Sequence, residues 1–293
     1  MRNSILFFLL LSNSVYGQLL DNRYGSAFTD KPFFNAHFIR DNKVHKLNGK
    51  FTYKKPGDMM RETHYMYVYE FDSLGRLSAS FETRKDDGTK DTTWNVYVYN
   101  ESNQLIEHKR GDGKGFTSTG YIYDEKGNVT EENYIREYKD SLGALQRTVL
   151  NSESMKYEYF DLQVKKTVYN NYDLPYKFEI SKYNELGYLV EREERLIMTM
   201  SLTTVKYTYN DRGYIASISS FEGSDTIPSE ESIFTYDEYG NLLEKHLYRK
   251  GVFTTEFEMI YNEKSKLLSY VLTRDVATNF IMILGFKNYE FFN

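Results

Sequence analysis

The sequence predicts an all-β protein, and three observations point to this fold class. The chain has 28 Tyr and 20 Phe but one Trp in 293 residues, and aromatic side chains favour pleated strands. Residues 64–71, HYMYVYEF, alternate with period two, which is typical of a strand. A turn motif then recurs at nearly constant spacing, which indicates a repeated supersecondary unit. We predict a long antiparallel meander of β-hairpin repeats that forms one twisted or coiled continuous sheet.

The turn motif reads aromatic, Asp or Asn, two free residues, Gly, one free residue, then Leu, Val or Ile. Its copies lie 24 to 28 residues apart, except for one gap of 36. Tyr159 starts a weak copy, which is included for its position. The copies at Tyr99 and Tyr261 carry Asn103 and Ser265 in place of glycine. We call the aromatic residue that opens each copy its anchor. Apart from Tyr159, the anchors are Phe71, Tyr99, Tyr123, Tyr183, Tyr209, Tyr236 and Tyr261.

The polar residue and the glycine of each copy have separate roles in a turn. An Asp or Asn side chain can accept a hydrogen bond from the backbone two residues later. Glycine supplies a positive φ at which other residues are strained. The predicted turn residues are therefore Asp72, Gly75, Asp124, Gly127, Asn184, Gly187, Asn210, Gly213, Asp237 and Gly240.

The anchor aromatics precede the turns, so consecutive hairpins place them in one row. We predict that this row serves the fold, since cross-strand aromatic pairs stabilise sheets. The alternative is an exposed platform for sugar rings or a peptide. A long exposed aromatic face would promote aggregation, which favours packing.

Two segments bound the predicted domain. Residues 1–17 begin with Arg2, continue with the apolar run 5–11 and end at Gly17, the order of a secretory signal peptide. Residues 18–293 are predicted to form a single repeat domain, with repeats over about 60–270 and capping strands at both ends. The 36-residue gap holds residues 133–154, interpreted as lengthened strands or an excursion. The pattern does not determine whether the sheet closes on itself.

The Tyr-Asp-x-x-Gly-Asn/Arg-Leu pattern, as in YDEKGNV at 123 and YDEYGNL at 236, resembles the YD repeat of Rhs and teneurin-type proteins. The resemblance spans roughly residues 65–268. It implies hairpins joined into one continuous sheet that can coil into a shell, and a secreted bacterial location. The sequence has no Asp-Pro, so it resembles a short form without the Rhs core motif or toxin domain. The resemblance implies no catalytic residue.

No motif predicts a catalytic, cofactor-binding or metal site. The chain has no cysteine, which excludes a thiolate ligand or nucleophile. Its five histidines are scattered, without the spacing of a zinc site. A net charge of −5 without a basic run disfavours nucleic acid as a partner.

These observations predict an exported, non-enzymatic repeat protein that acts as a scaffold or binding module at the bacterial cell surface or in the periplasm. Its candidate partners are a cell-surface glycan or another exported protein. Two alternatives stay open: an outer-membrane β-barrel, and a glycan-directed hydrolase on a β scaffold. Charges that interrupt both faces of most strands disfavour a lipid-facing band, and absent motifs disfavour the hydrolase.

Overall fold

The computed structural model describes residues 18–29, 31–86, 89–111 and 115–293, with residues 84–86 and 89–91 described by their backbone alone. The predicted signal peptide, residues 1–17, lies outside the described residues. Helix α1 (Ala36–Asp41) begins at Asn35, whose Oδ1 accepts hydrogen bonds from the backbone N–H groups of His37 and Phe38. Such a cap satisfies donors that an N-terminal turn otherwise leaves unpaired.

Antiparallel strands make up most of the described chain, each paired with its neighbours in sequence. They are β1 (Val44–Lys54), β2 (Arg61–Phe71), β3 (Leu77–Asp86), β4 (Thr89–Tyr99), β5 (Leu105–Gly111), β6 (Phe116–Tyr123), β7 (Val129–Lys139), β8 (Leu145–Phe160), β9 (Gln163–Tyr169), β10 (Pro175–Tyr183), β11 (Leu189–Leu196), β12 (Leu202–Tyr209), β13 (Ile215–Glu222), β14 (Glu230–Tyr236), β15 (Leu242–Arg249), β16 (Val252–Tyr261), β17 (Leu268–Asp275) and β18 (Ile281–Phe291).

The sheet closes into a barrel. Strand β1 pairs antiparallel with β2 on one side and with β18 on the other, from Val44 opposite Phe291 to Lys54 opposite Ile281. The all-β antiparallel meander is confirmed, but the sheet is a closed barrel rather than a twisted open one. Closure has a physical reason, since an open sheet would expose two edges of unpaired N–H and C=O groups.

Successive hairpin turns alternate between the two ends of the barrel. The turns of the recurring motif all lie at one end, which we call the repeat end, and the other turns lie at the far end. Residues 133–154 lengthen β7 and β8, and the hairpin between them turns at 140–144 without a helix. That turn and the one at 170–174 have the same backbone pattern at the far end, with Gly143 at φ 81 and Asp173 at φ 57.

An N-terminal plug, residues 18–42, fills part of the repeat end. Leu19, Ile39 and Phe33 of the plug are at most 2% exposed. The ring of Phe34 meets the rings of Tyr69 and Phe71 edge to face, with centroids 4.8 and 5.0 Å apart. A barrel of this many strands is too wide for its own side chains to fill, so the plug supplies the missing apolar core.

The strand pleat separates an inner face from an outer face. Because Tyr69 and Phe71 contact the plug, the intervening Glu70 faces outward. Glu70 forms an ion pair with Lys46 of β1. Ion pairs of this kind lie on outward positions around the barrel; the nitrogen–oxygen distances are 2.9 Å for Lys46–Glu70, 3.0 Å for Lys109–Glu137, 2.6 Å for Lys182–Glu191 and 2.6 Å for Arg274–Glu256.

The repeat turns that carry the motif glycine share one backbone geometry. At the Tyr209 copy, the N–H of Gly213 donates to the carbonyl of Asn210, and Asn210 Oδ1 accepts from the N–H groups of Arg212 and Tyr214. The motif glycines have positive φ: Gly75 81°, Gly127 83°, Gly187 80°, Gly213 79° and Gly240 87°. In the Tyr99 and Tyr261 copies, which lack the glycine, positive φ falls on Asn103 (62°) and on Lys266 (58°), one residue beyond Ser265.

Two motif glycines allow backbone strain to be separated from crowding. A Cβ at Gly187 would meet no atom within 4 Å, whereas a Cβ at Gly213 would clash with the hydroxyl of Tyr188. We expect Gly187→Ala to lower the free energy of unfolding by about 1 kcal/mol, which is the cost of placing alanine at a positive φ. Gly213→Ala has this cost and must also displace the Tyr188 hydroxyl, so it should lower the free energy of unfolding by roughly 2–3 kcal/mol. Urea denaturation of both variants measures the difference, and equal losses would contradict the packing role of Tyr188.

Candidate binding cleft

Tyrosine hydroxyls link successive repeats at the repeat end. Each donates to the backbone carbonyl of the first strand residue after the preceding turn, so each ring is held against its neighbour's turn. The bonds are Tyr99–Leu77 (2.9 Å), Tyr123–Leu105 (2.6 Å), Tyr157–Val129 (2.8 Å), Tyr209–Leu189 (2.8 Å), Tyr261–Leu242 (2.9 Å) and Tyr289–Leu268 (2.6 Å). Tyr157 takes this position in the weak copy, and Tyr159 is 49% exposed.

The free residue after the motif glycine forms a second layer over this row. The ring of Tyr188 packs against Tyr209, with centroids 4.7 Å apart, and Tyr214 packs against Tyr236 at 5.1 Å. In another repeat the same position is Arg76, whose guanidinium lies 4.7 Å from the ring centroid of Tyr99. One face of Tyr188 and Tyr214 therefore covers the anchor of the next repeat.

A cleft of 750 Å³ opens between this double layer and the plug. Its aromatic wall comes from three anchors, two second-layer tyrosines and Tyr24 of the plug, whose side chain is 75% exposed. The polar wall comes from plug residues that include Gln18, Asn22, Asn35 and His37. The tyrosines that line the cleft are Tyr24, Tyr183, Tyr188, Tyr209, Tyr214 and Tyr236.

Hydrogen bonds hold the deeper tyrosines of the cleft in place. Asn22 Nδ2 donates to the hydroxyl of Tyr236 at 2.9 Å, and Asn22 Oδ1 accepts from the N–H of Ala27. Burial raises the pKa of Tyr209. Burial also raises the pKa of Tyr236 to about 12, against the lowering effect of the Asn22 amide. Both phenols are therefore neutral near pH 7.

The charged groups of the cleft lining neutralise each other. Arg23 Nε donates to Asp21 Oδ1 at 2.9 Å, and this hydrogen bond is the main cause that raises the pKa of Arg23. Asp21 is the one carboxylate among the described lining residues. The cleft instead offers aromatic faces and neutral hydrogen-bonding groups.

The structure divides the predicted site residues into two sets. Tyr183, Tyr209, Tyr236, Gly187 and Gly213 line the cleft. The remainder lie along the repeat end outside the described lining: Phe71, Tyr99, Tyr123, Tyr261, Asp72, Gly75, Asp124, Gly127, Asn184, Asn210, Asp237 and Gly240.

The sequence analysis missed the second layer and the plug. Tyr188 and Tyr214 occupy a position that the motif leaves free, so their shared residue type was the available signal. Nothing in the sequence of residues 18–42 indicates that this segment enters the barrel beside them. The contact of Asn22 with Tyr236 spans 214 residues.

Within residues 18–29, 31–86, 89–111 and 115–293, no group of three or more His, Asp or Glu side chains could hold a metal ion. No helix in the described part of the chain is long and apolar enough to cross a bilayer.

Comparison with known proteins gives remote structural likenesses. No protein-family model and no curated protein matches the chain. It is similar to a porin-like protein from Bacteroides uniformis ATCC 8492, at 11% identity over 84% of this chain and 98% of that one, with a TM-score of 0.39. It is also similar to TcdB2-TccC3 without its hypervariable C-terminal region, at 13% identity over 73% of this chain and a TM-score of 0.22; the chain spans 14% of that protein's length.

A third likeness is to a LolA superfamily protein, NE2245, from Nitrosomonas europaea. It covers 86% of this chain and 87% of that one at 9% identity, with a TM-score of 0.20.

Tyrosine burial predicts a limit to stability at alkaline pH. Burial is the main cause that raises the pKa of Tyr134, Tyr157 and Tyr236 to about 12, against about 10 in an unfolded chain. The folded state thus holds these protons more tightly, so this stabilisation is complete below about pH 10 and is lost as pH rises towards 12.

We expect the free energy of unfolding to fall between about pH 10 and 12, together with a rise in tyrosinate absorbance. The slope of this fall should be smaller in Tyr236→Phe, which removes one shifted group. Tyrosines that ionise near pH 10 while the folded near-ultraviolet circular dichroism persists would contradict the burial argument.

Proposed function

We propose that this chain is an exported, non-enzymatic binding module whose tyrosine-lined cleft takes a neutral glycan. The observation that carries the proposal is the cleft itself: five tyrosines of the barrel, with Tyr24 of the plug, line a space of 750 Å³ together with polar residues of the plug. Pockets that combine aromatic walls with a few placed polar groups are typical of small-molecule sites. A sugar ring presents an apolar face for stacking and hydroxyls for hydrogen bonds, and this cleft offers partners for both.

Tyr188, Tyr214 and Tyr24 are the contact residues in this proposal. The anchors below them already use their hydroxyls, since Tyr209 donates to Leu189 and Tyr236 accepts from Asn22. The anchors therefore serve the fold, while the second layer and the plug present free faces. Preorganised aromatic side chains lose little conformational entropy on binding.

We propose that the repeat belongs to the YD type of the Rhs and teneurin-like proteins, in a short form. The recurring turn, its glycine and the tyrosine-to-carbonyl bonds support this proposal. Export is supported by the charged, apolar and small-residue order of residues 1–17. The repeat domain would then begin near Gln18, whose side chain lies against the turn at Gly240.

The charged outer face of the barrel favours a location of the protein outside the bilayer. A transmembrane barrel needs a continuous outward apolar band, and the ion pairs described above interrupt the outer face on β1, β2, β5, β7, β10, β11, β16 and β17. The mean hydropathy is −0.62.

A second candidate, an outer-membrane barrel, is favoured by the closure of the eighteen described strands.

Detergent-free extraction separates these two candidates. We expect the mature chain, expressed with its leader in a Gram-negative host, to appear in the periplasmic or culture fraction after osmotic shock. An outer-membrane barrel would stay in the membrane pellet until detergent is added, and that result would favour the second candidate. An unrelated periplasmic protein and a host porin serve as fraction markers.

Glycan binding is tested by removing the second-layer rings. We expect wild-type protein to bind at least one member of a panel of cello-, malto-, xylo- and chitohexaose in isothermal titration calorimetry. Tyr188→Ala and Tyr214→Ala should each weaken that binding roughly 10- to 100-fold, the loss of about 1–3 kcal/mol for one stacked ring.

Gln104→Ala is the matched control, because Gln104 holds the same motif position in a repeat outside the described lining. It should leave affinity unchanged. No binding to the panel by the wild-type protein, or equal losses in Gln104→Ala and Tyr214→Ala, would contradict the proposed site.

A further inference from the structure

A second cavity lies inside the barrel, beneath the plug. It has a volume of 460 Å³ and is lined mainly by apolar side chains of β1, β2 and β16–β18. Phe28 and Phe33 of the plug form its roof, and Phe257 lies in its wall. Met282 also lines it and is 37% exposed although it faces the lumen. The plug therefore leaves apolar surface inside the barrel uncovered.

Lys245 also faces the lumen, opposite a residue of β16 that lines this cavity. Its register partners are Phe234 on β14 and Phe257 on β16, both inward-facing residues of the core cluster or its margin. Lys245 Nζ lies 5.9 Å from the ring centroid of Phe234 and 5.6 Å from that of Phe257. Phe257 thus contacts the ammonium group and also lines the apolar cavity.

The ammonium of Lys245 has no ion-pair partner among the described residues. The outward lysines Lys46, Lys109 and Lys182 each meet a glutamate, whereas Lys245 meets rings. Burial lowers the pKa of Lys245, and the more remote charge of Glu230 acts in the opposite direction. A desolvated ammonium without a carboxylate is costly, and a bound anion would offset that cost.

We propose that this cavity binds an amphiphile with an anionic head, in which a long-chain carboxylate places its tail in the apolar cavity and its carboxylate on Lys245. The cavity lining supplies an apolar environment for methylene groups. The site shares no lining residue with the tyrosine-lined cleft, whose barrel wall comes from β10–β14 and their turns. It therefore does not depend on the proposed glycan binding.

The test compares ligands that share a tail and differ in the head. Dodecanoate, dodecanol and dodecyltrimethylammonium, each below its micelle concentration, compete with a fluorescent apolar probe for the purified mature chain. We expect dodecanoate to displace the probe at a concentration about tenfold or more below that of dodecanol, because of its charge-assisted contact. Dodecyltrimethylammonium should be the weakest of the three.

Lys245→Met keeps the length and apolar stem of the side chain. It should reduce dodecanoate affinity about tenfold or more, to the level of dodecanol, and leave dodecanol unchanged. Lys206→Met is the matched control, since Lys206 Nζ lies 5.3 Å from the ring centroid of Phe221 on the outer face. It should leave all three affinities unchanged.

Thr273→Phe tests the cavity itself, because Thr273 lines it and a larger ring there would occupy the tail's space. It should weaken dodecanoate and dodecanol alike. The proposal is overturned if wild-type protein shows no saturable displacement by dodecanoate. It is also overturned if dodecanoate and dodecanol displace the probe equally, or if Lys206→Met acts like Lys245→Met.

Discussion

The pairing of β1 with β18 is the constraint on which the other features depend. It joins residues near the two ends of the described chain over the register from Val44–Phe291 to Lys54–Ile281. Once the meander closes, its lumen is too wide for strand side chains to fill. Residues 18–42 then complete the core, with Leu19 and Ile39 fully buried. The cleft and the inner cavity are the spaces that this segment leaves on its two sides.

At the repeat end of the barrel, a hydrogen bond from a tyrosine hydroxyl to a backbone carbonyl of the preceding repeat joins neighbouring hairpins. These bonds are local in three dimensions but span about twenty residues in sequence, as for Tyr209 and Leu189. They satisfy carbonyl groups where strands begin after the turns. Because the anchors are fixed in this way, the second layer of Tyr188 and Tyr214 stands on a rigid base. A rigid base is what a binding surface requires.

The two faces of the sheet differ in chemistry, and both proposed sites lie on the inner side, at the repeat end and in the lumen. Ion pairs such as Lys182–Glu191 occupy the outer face, whereas apolar and aromatic groups gather around the plug. Lys245 faces inward without a carboxylate partner among the described residues, and it lies beside Phe257, which lines the cavity. The cleft offers neutral groups, whereas a cation lies beside the cavity, so the two sites suit ligands of different chemistry.

The sequence by itself determined the all-β class, the antiparallel meander and the spacing of the repeat turns, because each follows from alternation and from residues within one hairpin. For residues 133–154 it left lengthened strands or an excursion open, and the structure has the lengthened strands of the β7–β8 hairpin. The structure alone decided closure, the placement of the plug and the cleft. Each depends on contacts between distant residues, such as Asn22 with Tyr236. The turns at 140–144 and 170–174 were missed because the same local chemistry serves the far end, where the repeat spacing does not apply. Hydrogen bonds within a hairpin leave a periodic sequence signal, whereas packing between a segment without repeats and a barrel wall leaves none.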